Sequence, residues 1–109
     1  MKKRVYLLNA LSLNMASSPS GFFRWQMITI EEARSLLTKD GFSSAIGHQD
    51  LANVVSDLLG LPVEANRANV LLEPGDLAVV AQYRGPRLPE GTTQLPEGAK
   101  VEFYLVEVG

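Results

Sequence analysis

From Leu51 onward the apolar side chains fall at Leu51, Val54, Val55, Leu58 and Leu59, and Gly60 with Pro62 then breaks the rhythm. This is the spacing of one buried helical stripe closed by a glycine stop, and it commits the chain to a helix that must cover an apolar surface. Its start is equally informative. With Gly47 as the N-cap, His48 is the first helical residue, Asp50 the third, and Ile46 packs on Leu51 as a hydrophobic staple. A glycine cap has no side chain, so first-turn N–H groups are left for an outside acceptor. The partial positive charge of the helix start favours a phosphate there, an effect Asp50 partly opposes. His48, the chain's single histidine, lies above Leu51 and Ala52 at the edge of the buried stripe. A lone histidine at a helix start is usually a surface or structural residue, so a functional role needs support from other residues.

The surface under the stripe is a sheet. Val5 to Ala10 is a nearly continuous apolar run, suited to an interior strand covered on both faces. Phe22, Phe23, Trp25, Met27, Ile28 and Ile30 form a second candidate, with Arg24 and Gln26 on its polar side. Trp25 reads as a core or subunit-contact residue. Thr29-Ile30-Glu31-Glu32 is a capping box opening a short helix to about Thr38, stopped by Asp40-Gly41. Val70-Leu71-Leu72 reads as a short strand, Glu73 to Asp76 as a turn, and Leu77 to Tyr83 as another buried strand. Lys100 to Val108 alternates as a final strand, with Val101, Phe103 and Leu105 on one face and Glu102, Tyr104 and Val106 on the other. The order β, β, α, α, β, β, β predicts one α/β domain over residues 1–109, a mixed sheet of about five strands flanked by helices.

Composition removes several chemistries. The chain has no cysteine, which excludes disulfides, thiolate metal sites and cysteine nucleophiles, and one histidine is too few for the usual zinc or iron site. The expectation is chemistry without metal or cofactor. A net charge of −2 argues against a surface gripping a long nucleic acid but leaves room for a compact anion. No glycine-rich phosphate loop of Rossmann or P-loop spacing is present. Lys2-Lys3-Arg4 before an apolar run has the outline of a signal peptide, but Asn9, Ser12 and Asn14 interrupt the run. No stretch reaches membrane-spanning length, and a cytoplasmic protein is expected.

Polar groups collect near strand ends. Asn9, Ser12 and Asn14 follow the first strand, where ordinary turn chemistry is the plain explanation. Gln82 ends the strand 77–83, Arg67 precedes the strand expected at 70–72, and Arg84 follows the strand 77–83. The proline-stiffened stretch Arg84 to Gly91 carries Arg87 and Glu90, either as binding groups on a rigid scaffold or as a solvated surface pair. Leu-Pro-Glu-Gly recurs at 88–91 and 95–98 as duplicated turn chemistry.

Taken together, Leu8-Asn9-Ala10-Leu11-Ser12-Leu13-Asn14-Met15, Ile46-Gly47-His48, Asn66-Arg67, and Gln82 with Arg87-Leu88-Pro89-Glu90-Gly91 resemble the viral anti-CRISPR ring-nuclease family, which also has bacterial members. The resemblance spans nearly the whole chain in the same order of elements. It implies a homodimer that binds cyclic tetra-adenylate, the second messenger of type III CRISPR systems, across the subunit interface and cuts it to linear di-adenylates. Two-fold symmetry suits a ring of repeated units.

The resemblance further implies that His48 is the general acid and that Arg87 holds the scissile phosphate, with Arg67 a second cationic contact. Glu90 either orients and charges His48 or accepts the ribose 2′-OH proton, and both roles stay open. Asn9, Ser12, Asn14 and Gln82 are implied as hydrogen-bonding ligand contacts. Where the family places a charged helical segment before the last strand, Pro96 and Gly98 here predict a loop over 92–99. Two other readings compete: a module that sequesters a cyclic oligonucleotide without cutting it, and a small dimeric structural or interaction protein in which His48 is incidental.

Overall fold

In the computed structural model, residues 4–39 and 41–109 are described. They comprise β1 (Val5–Leu8), a 3-10 turn (Leu13–Met15), β2 (Phe23–Ile28), α1 (Ile30–Lys39), β3 (Ser43–Ala45), α2 (Gln49–Leu59), β4 (Leu77–Arg84) and β5 (Lys100–Val108). The strands form one five-stranded sheet in the order β2-β5-β4-β1-β3. β1 runs parallel to both β3 and β4, whereas β5 is antiparallel to β4 and β2, so the sheet is mixed as its sequence predicts. The apolar run Val5 to Ala10 is strand only as far as Leu8, and it is interior, between β4 and β3.

Strand alternation divides the core in two. Leu7, Val79, Ala81 and Phe103 point to the face covered by α1 and α2, where Ala33, Leu37, Leu51, Ala52, Val55 and Leu59 meet them. Leu8, Ala78, Val80 and Val106 point to the other face, which Val70 and Leu72 cover in part. Each fully buried Leu or Val removes apolar surface worth about 1.5–3 kcal/mol, so both layers contribute. The expected facing of β5 holds, with Val101, Phe103 and Leu105 in the helix-side layer and Tyr104 and Val106 in the other.

Two strands differ from the sequence reading. Val70-Leu71-Leu72 is not a strand: Leu72 makes a single parallel bridge to Ala16, its N–H donating to Met15 O at 2.6 Å. Its alternation is real, with Val70 and Leu72 buried and Leu71 58% exposed, but the segment lies over the sheet face and finds no strand edge to extend. The fifth strand is instead Ser43–Ala45, which pairs with β1 from Tyr6↔Ser43 to Leu8↔Ala45. Its small polar side chains carry no hydrophobic signal. An edge position tolerates them, and the Ser44 hydroxyl donates to Glu64 O at 2.6 Å.

The helix ends follow their capping chemistry. Thr29 N–H donates to Glu32 Oε1 at 3.0 Å and Glu32 N–H donates to Thr29 Oγ1 at 3.1 Å, a complete capping box; Ile30 accordingly starts α1 and does not extend β2. The expected stop at Asp40 lies outside the described residues, while Gly41 has φ 77°. α2 closes on Gly60 in the left-handed region at φ 67°, where a side chain would be strained, and Gly60 N–H donates to Ser56 O at 2.9 Å. Asp76, the buried charge among the described residues, is fully partnered by Arg4 at 2.7 Å and by the Glu73 N–H at 2.8 Å.

Candidate functional site

Leu8 pairs with both Ala45 and Val80, so three parallel strands deliver their following segments to one end of the sheet. Ligand sites of open α/β sheets commonly lie outside the carboxyl ends of such strands. β1 leads to Asn9, β3 to the start of α2, and β4 to the long connection 85–99, which is far longer than the usual hairpin loop of about 2–5 residues.

At this end lies an open cleft of about 680 Å³. His48, Asp50 and Leu51 line it from α2, Tyr83 from β4, and Arg87, Leu88, Pro89 and Glu90 from the connection. His48 therefore shares one cavity with Arg87 and Glu90 although about forty positions of the chain separate it from them. All three are exposed to solvent, and Leu88 anchors the loop by packing against the helix-side core.

The cap of α2 differs from the sequence reading. His48, not Gly47, is the N-cap, with extended backbone at φ −125° and ψ 130°, and its carbonyl accepts the Ala52 N–H at 3.0 Å. Asp50 is thus the second helical residue instead of the third. The cause is that helical dihedrals begin only at Gln49, one residue later than the glycine suggested. The His48 side chain makes no capping hydrogen bond, so the imidazole is left to face the cleft it lines.

The other expected site residues lie elsewhere. Arg67 does not line the cleft: its Nε donates to Gly47 O at 3.0 Å, which ties the guanidinium to the residue preceding His48. Gln82 points to the opposite sheet face from Tyr83. It lines a shallow groove of about 290 Å³ with Leu11, Trp25, Arg84 and Tyr104. Asn9 is half-buried after β1, Ser12 precedes the 3-10 turn without making a capping bond, and Asn14 is exposed within that turn. None of these three lines the cleft. Among the described residues no three His, Cys, Asp or Glu side chains gather as a metal-ligand set, and no helix is long and apolar enough to cross a membrane.

Two cleft residues were not singled out as candidates from sequence. Tyr83 forms a wall of the cleft, and its hydroxyl donates to Pro86 O, bracing the start of the loop. Strand alternation carries the signal, since Val79 and Ala81 face the helices and Tyr83 follows in the same register. Asp50 reads from sequence as an opponent of anion binding; in the fold its Oδ1 accepts the Gly91 N–H at 3.0 Å.

Comparison with known proteins agrees with this architecture. Protein 26 of Sulfolobus islandicus filamentous virus (isolate Iceland/Hveragerdi) is 30% identical over 110 residues, covering 95% of this chain and 91% of that protein. ORF117 of Acidianus two-tailed virus is 33% identical, covering 94% of this chain and 92% of its own length. YddF of Bacillus subtilis (strain 168) is 32% identical over 94% of each chain. Among solved structures, B116 of Sulfolobus turreted icosahedral virus superposes with a TM-score of 0.80 at 29% identity, covering 95% of this chain and 98% of that one. The STIV B116-like family matches residues 5–105, and the chain belongs to it.

Proposed function

We propose that this protein is a metal-independent ring nuclease that binds cyclic tetra-adenylate as a homodimer and cuts it to linear di-adenylate bearing a 2′,3′-cyclic phosphate, switching off type III CRISPR signalling. The observation that carries the reading is the shared cleft of His48, Arg87 and Glu90: the start of α2 brings an acid, and the connection after β4 brings a phosphate ligand and a carboxylate, to one cavity. RNA brings its own nucleophile. The ribose 2′-OH attacks the adjacent phosphorus in line, the P–O5′ bond breaks, and the 5′-oxygen leaves with a proton. His48 supplies that proton and Arg87 offers a fork of N–H donors to the phosphoryl oxygens as their charge grows; Glu90 either takes the 2′-OH proton or orients the imidazole while solvent water takes that proton.

Dimerisation supplies the rest of the site. Trp25, Met27 and Leu13 are large apolar side chains 67%, 58% and 83% exposed, and Trp25 and Met27 stand on the sheet face without helices. A second copy seated on that face buries them. Gln82 lies on the same face, in the groove with Trp25, and would border such an interface.

The test is incubation of purified protein with cyclic tetra-adenylate in excess chelator, with chromatographic separation of products. Conversion to the cyclic-phosphate di-adenylate is expected. His48→Ala should slow it by roughly 10²–10⁴-fold while ligand still binds. Undiminished cutting by His48→Ala overturns the mechanism, and intact ligand co-eluting with wild-type protein replaces cutting with sequestration.

A further inference from the structure

The loop that carries Glu90 is held by the helix that presents His48, and the residues holding it have no role so far. Pro89 to Thr92 form a turn closed by Thr92 N–H donating to Pro89 O at 3.1 Å, with the Thr92 hydroxyl donating to the same oxygen. Glu90 and Gly91 are its two central residues, and Gly91 has φ +85°, the left-handed value that a type II turn requires at its third position. The turn thus sets the direction in which Glu90 leaves the backbone.

α2 grips this turn at two points. The Asp50 carboxylate accepts the Gly91 N–H at 3.0 Å, and Asn53 Nδ2 donates to Thr92 O at 3.2 Å. Three positions apart, Asp50 and Asn53 share one side of the helix. The Asn53 amide is itself oriented, since its Oδ1 accepts from Gln49 Nε2 at 2.8 Å. These bonds join a helix and a loop about forty residues apart in sequence. An exposed hydrogen bond adds little to stability, so the value of the pair lies in position.

The structure assigns Asp50 and Asn53 as positioning residues that hold the Glu90 turn in fixed register with His48, the N-cap of the same helix. The assignment rests on the ring-nuclease reading of the cleft and adds to it the groups that tie the Glu90 turn to the helix that starts at His48. Neither residue needs to touch the reacting atoms. A displacement of about 1 Å in a catalytic group can cost on the order of 100-fold in rate, and the connection between β4 and β5 carries Glu90 several residues from either strand.

The experiment compares wild-type protein with Asp50→Ala, Asp50→Asn and Asn53→Asp, with Asp57→Ala as the control that removes an exposed carboxylate from α2. Two readouts are taken: kcat and KM for cyclic tetra-adenylate, and the hydrogen exchange of the Gly91 amide by NMR. Asp50→Ala and Asn53→Asp are expected to lower kcat by roughly 10–100-fold with a smaller change in KM. Asp50→Asn keeps an acceptor oxygen and restores most of the rate, and Asp57→Ala behaves as wild type. Gly91 exchange rises in Asp50→Ala.

A wild type that cuts, with kcat unchanged in Asp50→Ala and in Asn53→Asp, overturns the assignment. Equal loss of rate in Asp57→Ala also overturns it, because charge and not position would then be the cause. A wild type that leaves the ring intact overturns the ring-nuclease reading instead. In that case Gly91 exchange still decides the clamp, since protection unaltered in Asp50→Ala shows that the carboxylate does not hold the turn. Should Asp50→Ala fail to fold, Asn53→Asp carries the same comparison from the second contact.

Discussion

Glu102 is the carboxylate whose titration the fold displaces among the described residues. The hydrogen bond from Arg84 Nε holds its carboxyl below the usual range; partial burial works against this, and the charges of Lys100 and Arg84 add to the lowering. The sign follows from linkage. A carboxyl with a depressed folded-state pKa stabilises the protein above its unfolded pKa near ~4.3 and loses that contribution as pH falls through the folded value. The side chain is 20% exposed, and solvent screening keeps the effect modest. Glu102→Gln is therefore expected to lower the melting temperature slightly at pH 7 and to converge with wild type in acid, below both pKa values. A difference between the two proteins that persists undiminished at about pH 2 would remove Arg84 pairing as its cause. The pair also matters to the site, because Arg84 and Lys100 are the last paired residues before the connection bearing Arg87 and Glu90.

At the scale of elements, stability and function are separated along the chain. α1 begins with reciprocal Thr29–Glu32 bonds, neither residue lining the cleft, and Thr29→Ala should cost about 1 kcal/mol in denaturant unfolding while leaving ligand cleavage unchanged. That capping box was legible in four residues because both partners are local. So was β5, whose alternation over Lys100–Val108 announces both its limits and its facing. β3 was not legible, since Ser43-Ser44-Ala45 becomes a strand only because β1 offers an edge, and nothing within the three residues encodes that neighbour. Val70 to Leu72 misled for the converse reason: its alternation reports burial against a sheet face and not membership of the sheet. For the site, the sequence segments around His48, Arg87 and Glu90 meet in one cleft. The shift of the cap from Gly47 to His48, the bond that ties Arg67 to Gly47 and the separation of Gln82 by strand facing are tertiary facts. The absence of helix from 92–99 was foreseeable from Pro96 and Gly98, and the segment runs between turns closed on Pro89 and Pro96.

For the whole molecule the decisive asymmetry is that both helices cover one sheet face. On the other, Leu72 and the 3-10 segment cover β4 and β1, leaving β2 and its Trp25 and Met27 in water. If that face meets a second copy, Trp25→Glu should shift the protein to monomer in sedimentation and weaken cyclic tetra-adenylate binding, with the fold retained in circular dichroism. A dimer that survives Trp25→Glu unchanged would place the interface elsewhere. Trp25 has one further consequence. It is the chain's single tryptophan, so the indole emission of the protein arises from one ring, and that ring stands on the face in question. The molecule thus carries its own optical gauge of self-association: on dilution, the wavelength of its fluorescence maximum should move to the red as one ring passes from a protein surface into water, with no label attached.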